Sequence, residues 1–593
     1  MIASSLSRIA LLGTLLALAG CGKPGAPQPS APHPLPSSAL VSKGEPGRQG
    51  GRFVIPASTS PKTFNPLFVF DGPSDSIVRL LFASLVHFDW VTQEPAPSLA
   101  ESWSVAQDQK TWTFKLRPGV RWSDGEPLSA DDVVFTWNDI ILNRTFPQTA
   151  FDIFRIGDRA FAVTKVDALT VQVVTSEVFA PFVEFFGGVP ILPKHVLETA
   201  VQAGVFPAAY GLTSKPNRIV GCGPYRLKEF RRGQSTLLER NPEYWVADRQ
   251  GTRLPYFDEV MFPVRGTAGG EAALFLEAKS DVYDSIRPQN FAAFKQAAHG
   301  GRFQLVDLGV GAERDFLWFN QNTGTNAAGK PIVNPTRLKW FRNKKFRQAV
   351  SCAIDRDRLV REAYGGHARP ACSFISTENH KWNNPDVPRY EHDLARARAL
   401  LAEIGIQDRN GDGMMEDADG NPFEILFYSN AGNLLREKAA TLMQEDLRHL
   451  GLKFIYVPMD FRALVERINV TFDYECALMG LGGGGSDPAS QVNVLRSSEE
   501  LHQWFPFQKS PSTEWEARMD SLMDAQMRTL DFAQRKKFFD EVQAILAEEL
   551  PMIYTVTPFA AAAIRPAVGN LRPAVLSPYH LTWNLHELYF KQQ

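Results

Sequence analysis

Between Phe423 and Met479 the hydrophobic period switches repeatedly, and that alternation constrains the fold more than any other feature of the chain. Phe423 to Tyr428 reads as a strand, Leu434 to Leu450 as a helix ended by Gly451, and Leu452 to Val457 as a second strand. Phe461 to Ile468 then reads as a helix and Asp473 to Met479 as a third strand. Strands that alternate with helices predict a parallel sheet, because a parallel neighbour is reached only by a long crossover connection. Within the first helix, Leu435, Ala439, Leu442, Met443, Leu447 and Leu450 recur at helical spacing and form a core stripe. A chain of 593 residues exceeds one hydrophobic core, so two or three domains are expected. Its 63 basic and 65 acidic residues leave no basic face, which excludes nucleic acid as a partner.

A second pattern runs from Pro97-Ser-Leu-Ala-Glu-Ser-Trp103 through Trp112-Thr-Phe-Lys-Leu-Arg-Pro-Gly119 and Trp122-Ser-Asp-Gly125 to Ala130-Asp-Asp-Val133. Trp112, Phe114 and Leu116 alternate with polar residues at the strand period, and Pro118-Gly119 and Asp124-Gly125 are turn pairs. Ser129 with Asp132 predicts a capping box that opens a helix. This order of residues resembles the signature of the family 5 extracellular solute-binding proteins, the oligopeptide, dipeptide and nickel receptors of ABC importers. Gly221-Cys-Gly-Pro-Tyr225 and Glu239-Arg-Asn-Pro-Glu-Tyr-Trp245 resemble two further elements of that family, with Cys222 where threonine is usual. Phe316-Leu-Trp-Phe-Asn320 and Arg347-Gln-Ala-Val-Ser-Cys-Ala-Ile-Asp355 resemble its hinge strand and its second-lobe helix.

The resemblance implies an α/β, two-lobe periplasmic-binding-protein fold (type II, cluster C) with an extra subdomain in the first lobe. The implied boundaries are lobe I over 52–87, the extra subdomain over 88–204, lobe I again over 205–312, lobe II over 313–564 and a return to lobe I over 565–593. It also implies a monomer that captures peptides, or other organic solutes, and delivers them to an ABC permease. A non-transport envelope lipoprotein of the same fold, acting as a sensor or partner-binding module, is the alternative.

The N-terminus carries an export signal. Arg8 is the only charge in the first twenty residues, and the apolar run Ile9 to Ala19 is too short for a membrane span. Leu18-Ala19-Gly20-Cys21 reads as a lipobox, so residues 1–20 are a signal peptide and Cys21 is lipidated, anchoring the protein to the cell envelope in the periplasm or on the cell surface. An ordinary secretory signal with a free Cys21 is the other reading. Residues 21–51, with Pro24, Pro27, Pro29, Pro32, Pro34 and Pro36, are expected to form a tether. Export permits disulfides among Cys222, Cys352, Cys372 and Cys476, and burial as free thiols fits equally.

Gly480-Leu-Gly-Gly-Gly-Gly485 formally matches G-x-G-x-x-G, but Ser486-Asp487-Pro488 interrupts the transition to a helix, so nucleotide binding is not expected. By the resemblance this run is the ligand loop, with Leu481 at a tryptophan position and Gly484 at the position of an aspartate that pairs with the amino terminus of peptides. A buried ammonium needs a carboxylate partner. Either the ligand presents no free amine there, or Asp487 or Asp71 supplies the charge. The implied ligand contacts are Phe70, Asp71 and Gly72 in lobe I, and Leu481, Gly483, Gly484, Ser486, Asp487 and Trp504 in lobe II. Asp408, Asn410, Asp412, Met414 and Asp419 have the spacing of a structural calcium loop, with a solvated acidic hairpin as the alternative; no other cofactor is expected. The sequence contains no H-E-x-x-H, G-x-S-x-G or Walker A motif, so no enzyme activity is expected.

Overall fold

The computed structural model describes residues 32–143, 145–146, 155–156, 159–266, 269–482 and 486–591. Cys21 and the lipobox lie outside them, as do Gly483 and Gly484.

Lobe I is organised by a four-stranded sheet, in the order Tyr225–Arg231, Ser235–Arg240, Glu259–Pro263 and Arg52–Val54. Two sequence motifs meet against it. The Asn241 side chain donates to the Gly223 carbonyl at 2.8 Å, and the Trp245 indole donates to the Cys222 carbonyl at 3.3 Å. A Cβ on Gly221 would sit 2.0 Å from the Leu81 carbonyl oxygen, so the close approach of backbones requires glycine there. Leu81 ends the helix Gly72–Leu81, whose N-cap is Asp71 with a proline in the first turn.

The extra subdomain has its own antiparallel sheet, in the order Ala100–Val105, Thr111–Leu116, Thr170–Val174 and Ala162–Asp167. Ser129 and Asp132 form the capping box the spacing predicts, each side chain accepting from the other's backbone end of the first turn. This subdomain has no separate core: Phe114, Trp137 and Phe186 belong to the same apolar cluster as Phe53, Trp245 and Val260 of lobe I.

Lobe II is built on a five-stranded sheet, ordered Lys453–Met459, Glu424–Asn430, Cys476–Leu481, Arg314–Phe319 and Ile553–Tyr554. The first three strands are parallel, as the alternation predicts, and Arg314–Phe319 runs antiparallel to its neighbours on both sides. Both faces are covered. Leu317 and Phe319 point into one cluster and Phe316 and Trp318 into another, at the strand period of two. The helix over Leu434–Leu450 begins at an Asn433 cap and ends at Gly451, whose φ of 92° is the left-handed cap conformation that favours glycine.

Two strand crossings join the lobes. Gln304–Val310 pairs with Val556–Ile564 outside the lobe II sheet, and each continues into it as Arg314–Phe319 or comes from it as Ile553–Tyr554. The chain therefore leaves the lobe II sheet at Tyr554, ahead of the expected boundary at 564.

The tether also differs from expectation. Residues 32–51 pack on lobe I instead of standing off it: Leu40–Val41 pairs in parallel with Val246–Ala247, and Ser42 donates to Glu587 at 2.6 Å. An extended segment poor in apolar residues docks in this way because its backbone adds to an existing strand, with the Leu40-Val41 pair at the point of attachment. All four described cysteines are free thiols, three of them buried.

Candidate interlobe binding site

The strands of lobe II end at one margin. The parallel strands finish there at Asn430, Met459 and Leu481, the antiparallel strand begins there at Arg314, and Tyr554 ends beside them. Both interlobe crossings leave from this margin, which therefore faces lobe I. In open α/β sheets the carboxyl ends of parallel strands are where ligands bind, since the chain turns there and no side chain covers the strand ends.

Asp315 lies on this margin and is fully engaged. Arg436 donates to its Oδ1 from Nη2 at 2.6 Å and from Nε at 3.2 Å, while Tyr364 donates to Oδ2 at 3.0 Å. Arg436 also donates to Asn430 at 2.6 Å, so one guanidinium ties the ends of two strands together. Gly480 makes room for the pair, because a Cβ there would lie 2.5 Å from the Asp315 oxygen and 2.7 Å from the Arg436 nitrogen. Arg314, one residue earlier, points to the other face, stacked at 4.5 Å over the ring of Phe374.

Lobe II touches the extra subdomain along a seam of polar contacts. The Gln93 amide donates to the Glu378 carbonyl at 2.7 Å, Lys381 pairs with Glu94 at 2.7 Å, and Arg528 pairs with Glu177 at 2.9 Å. The Ala180 N–H donates to the Met527 carbonyl at 2.6 Å, and the Ser486 hydroxyl donates to the Glu184 carboxylate. Burial raises Glu184 to about 7, the negative charge of Asp487 adds to the rise, and the Ser486 hydroxyl opposes it. Asp487 itself is buried, pairs with Arg535 at 2.8 Å and accepts from the Ala489 N–H at 2.9 Å.

Two lobes, two strand crossings and a seam that closes one side of the space between them form a clamshell. The family model for bacterial extracellular solute-binding proteins, family 5 (middle), matches residues 94–502. The chain belongs to the family 5 extracellular solute-binding proteins. This solute-binding protein is 28% identical over 552 residues to a probable ABC transporter-binding protein of Deinococcus radiodurans, covering 88% of this chain and 90% of that one. It is 28% identical over 529 residues to the oligopeptide-binding protein AppA of Bacillus subtilis, covering 88% of this chain and 89% of AppA. The solved structure of AppA in complex with a nonapeptide matches with a TM-score of 0.69 at 24% identity, over 92% of this chain and all of that one. The two-lobe α/β fold of type II periplasmic binding proteins is thus the fold of this chain, and its work is transport binding, not catalysis.

The residues singled out in the sequence are distributed unevenly around the binding protein's cleft. Leu481 and Ser486 flank the described ends of the glycine run, Leu481 on the strand end and Ser486 on the seam. Phe70 is 73% exposed, and Asp71 and Gly72 open the Gly72–Leu81 helix, with the Asp71 carboxylate accepting from the Ser74 N–H at 3.0 Å and its hydroxyl at 2.8 Å. Among the described residues, Phe70, Asp71 and Gly72 form no hydrogen bond with Leu481, Ser486 or Asp487. Asp487 does not stand as a free charge for a ligand amine, because Arg535 holds both of its oxygens.

Trp504 is a correction. It is fully buried in the lobe II core, away from the strand ends, and its indole donates to Glu516 at 3.0 Å. That carboxylate also accepts from His502, Gln508, Ser512 and Thr513. An aromatic ring with one polar atom is driven inward when a buried acceptor waits for its N–H. In the loop with calcium-site spacing, the polar side chains bond to the loop's own backbone. Asp408 accepts from the Gly411 and Gly413 N–H groups at 2.7 and 2.9 Å, Asn410 from Asp412 and Asp412 from Met414, both at 2.8 Å. Asp419 belongs to the next turn, where Asp417 collects the N–H groups of Asp419 and Asn421. No group of three or more His, Cys, Asp or Glu side chains among the described residues is arranged to hold a metal ion.

Sequence reasoning missed Glu184, Arg314 and the Asp315–Arg436 pair. The one local signal was a pair of charges, Arg314-Asp315, at the mouth of an otherwise apolar strand.

Proposed function

We propose that this solute-binding protein captures peptides or peptide-like solutes between its lobes and delivers them to an ABC permease, tethered to the cell envelope through a lipid on Cys21. The observation that carries the reading is the margin of lobe II, where five strand ends and both crossings face lobe I across a seam of reversible polar contacts. Two short crossings permit rigid lobes to open and close, and a ligand that touches both lobes selects the closed form by its differential affinity. Peptides lead as the ligand class because the B. subtilis relative is an oligopeptide-binding protein. The protein acts as a monomer without a required cofactor.

Native mass spectrometry of the full-length protein, purified from membranes in detergent, tests the ligand class. A ladder of bound masses separated by amino-acid residue masses is the expected result; a single bound non-peptide mass would transfer the reading to another solute. For the anchor, a Cys21→Ala variant is expected to lose labelled-lipid incorporation, and incorporation that persists would remove the lipid from the reading.

A further inference from the structure

Arg314 and Arg436 stand on adjacent elements of the same margin, and their guanidinium groups are treated oppositely. The Nε and Nη2 atoms of Arg436 both face the Asp315 carboxylate. Among the described residues the same two atoms of Arg314 are buried without a hydrogen-bond acceptor, and the side chain's one bond runs from Nη1 to the Ala312 carbonyl at 3.1 Å. Arg314 is 5% exposed and, among the described residues, forms no ion pair. Nε and Nη2 lie along one edge of the guanidinium plane, the edge that grips two oxygens of a single carboxylate or phosphate. A buried cation with that edge empty is strongly unfavourable unless an anion arrives to fill it.

The surroundings supply the rest of a receptor. Tyr554, opposite Phe316 and so on the same sheet face as Arg314, has a buried phenol oxygen that also lacks a partner. Phe374 covers the guanidinium plane, and Leu481, the last strand residue before the glycine run, pairs with Arg314 across the sheet. The chain that carries Phe374 runs on to Glu378 and Lys381, whose bonds to Gln93 and Glu94 cross to the extra subdomain. The segment that covers Arg314 therefore also carries two of the seam contacts.

We propose that Arg314, assisted by Tyr554, is an anion subsite of the interlobe cleft and that the captured solute presents an oxyanion to it. This deepens the capture reading above and rests on it.

The test uses full-length protein, wild type, Arg314→Gln and Arg314→Met, followed by thermal shift and titration with four probes: trialanine, trialanine C-terminal amide, succinate and inorganic phosphate. Acidic probes are expected to raise the wild-type Tm and to bind Arg314→Gln at least tenfold more weakly, while the amide gains nothing from Arg314. Without any probe, Arg314→Met is expected to melt no lower than wild type, since it removes an unpaired buried charge. A lower Tm for unliganded Arg314→Met would make the arginine structural and overturn the proposal, as would the absence of any probe whose binding depends on Arg314. Trialanine and its amide binding equally in wild type and variant would overturn the subsite but keep peptide capture. Succinate or phosphate binding through Arg314 with no response to either peptide would keep the subsite and end the peptide reading.

Discussion

Glu516 and Glu184 are both withdrawn from water, and they end in opposite states. Glu516 sits inside lobe II, where burial alone would raise its pKa, but hydrogen bonds from His502, Gln508, Thr513 and Trp504 outweigh burial and hold it down at about 2. Glu184 sits on the seam between the lobes with one hydroxyl donor and the charge of Asp487 nearby, and burial lifts it to about 7. Donor count decides between them. A carboxylate served from within one lobe is a fixed part of the core. One served across the seam has its donor only while the lobes touch, so its charge state is coupled to closure.

The largest expected effect breaks the pair that flanks the seam. Asp487→Asn leaves Arg535 buried without its counter-charge, with only neutral amide and carbonyl oxygens to accept from it, and removing the charge of one partner of a buried pair costs about 3–5 kcal/mol. Chemical denaturation should show that loss; a cost within error would mean that Arg535 finds another acceptor. The same variant sharpens the comparison, because the charge of Asp487 is the second cause of the raised Glu184 value, whose pKa should fall toward the ordinary carboxyl range.

Next comes Glu516. A carboxyl held at about 2 against an ordinary 4.5 contributes on the order of 3 kcal/mol at neutral pH. The folded-state pKa is depressed, so this contribution is present above pH 4.5 and disappears as the pH falls toward 2. Glu516→Gln should lower stability at pH 7 and shrink the gap to wild type on acidification; a gap independent of pH would contradict the assignment.

Glu184 carries the opposite sign at a smaller size. Its pKa is raised in the closed form, so closure takes up a proton and is favoured at low pH, with a penalty that grows from about pH 4.5 and is complete above 7. The affinity for a co-purifying ligand should be on the order of tenfold weaker at pH 8 than at pH 5.5, and Glu184→Gln should flatten the profile. Lys381 and Arg535, the cations nearest Glu184, moderate the shift without reversing it. A variant that titrates like wild type would separate the seam from ligand affinity.

The smallest effect concerns the Asp408 loop. Its carboxylate is exposed and already accepts from two backbone N–H groups, so calcium and chelator should leave the Tm unmoved. A rise in Tm with calcium would show that the ion competes with those bonds.

What could be read ahead of the structure had local causes. The Leu434–Leu450 helix, its Gly451 cap and the Ser129–Asp132 capping box depend on residues within a turn or on one repeated spacing, and each lies where the pattern predicts. Trp504 is buried because its ring is drawn to Glu516, which lies in the Glu514–Met527 helix while Trp504 lies in the turn before it. The tether was extended too far because its docking depends on a strand at Val246–Ala247, some two hundred positions away.

By itself the sequence determined the local elements, since hydrophobic period, caps and turn pairs act over a few residues and set the alternation of strand and helix in lobe II; the two lobes were what the family resemblance implied. It did not determine the charge state of the cleft. Glu184 and Ser486 are 302 positions apart, Arg436 and Asp315 121, and Asp487 and Arg535 48. A buried charge is governed by the donors and acceptors within a few ångströms of it, and only the folded chain decides which residues those are.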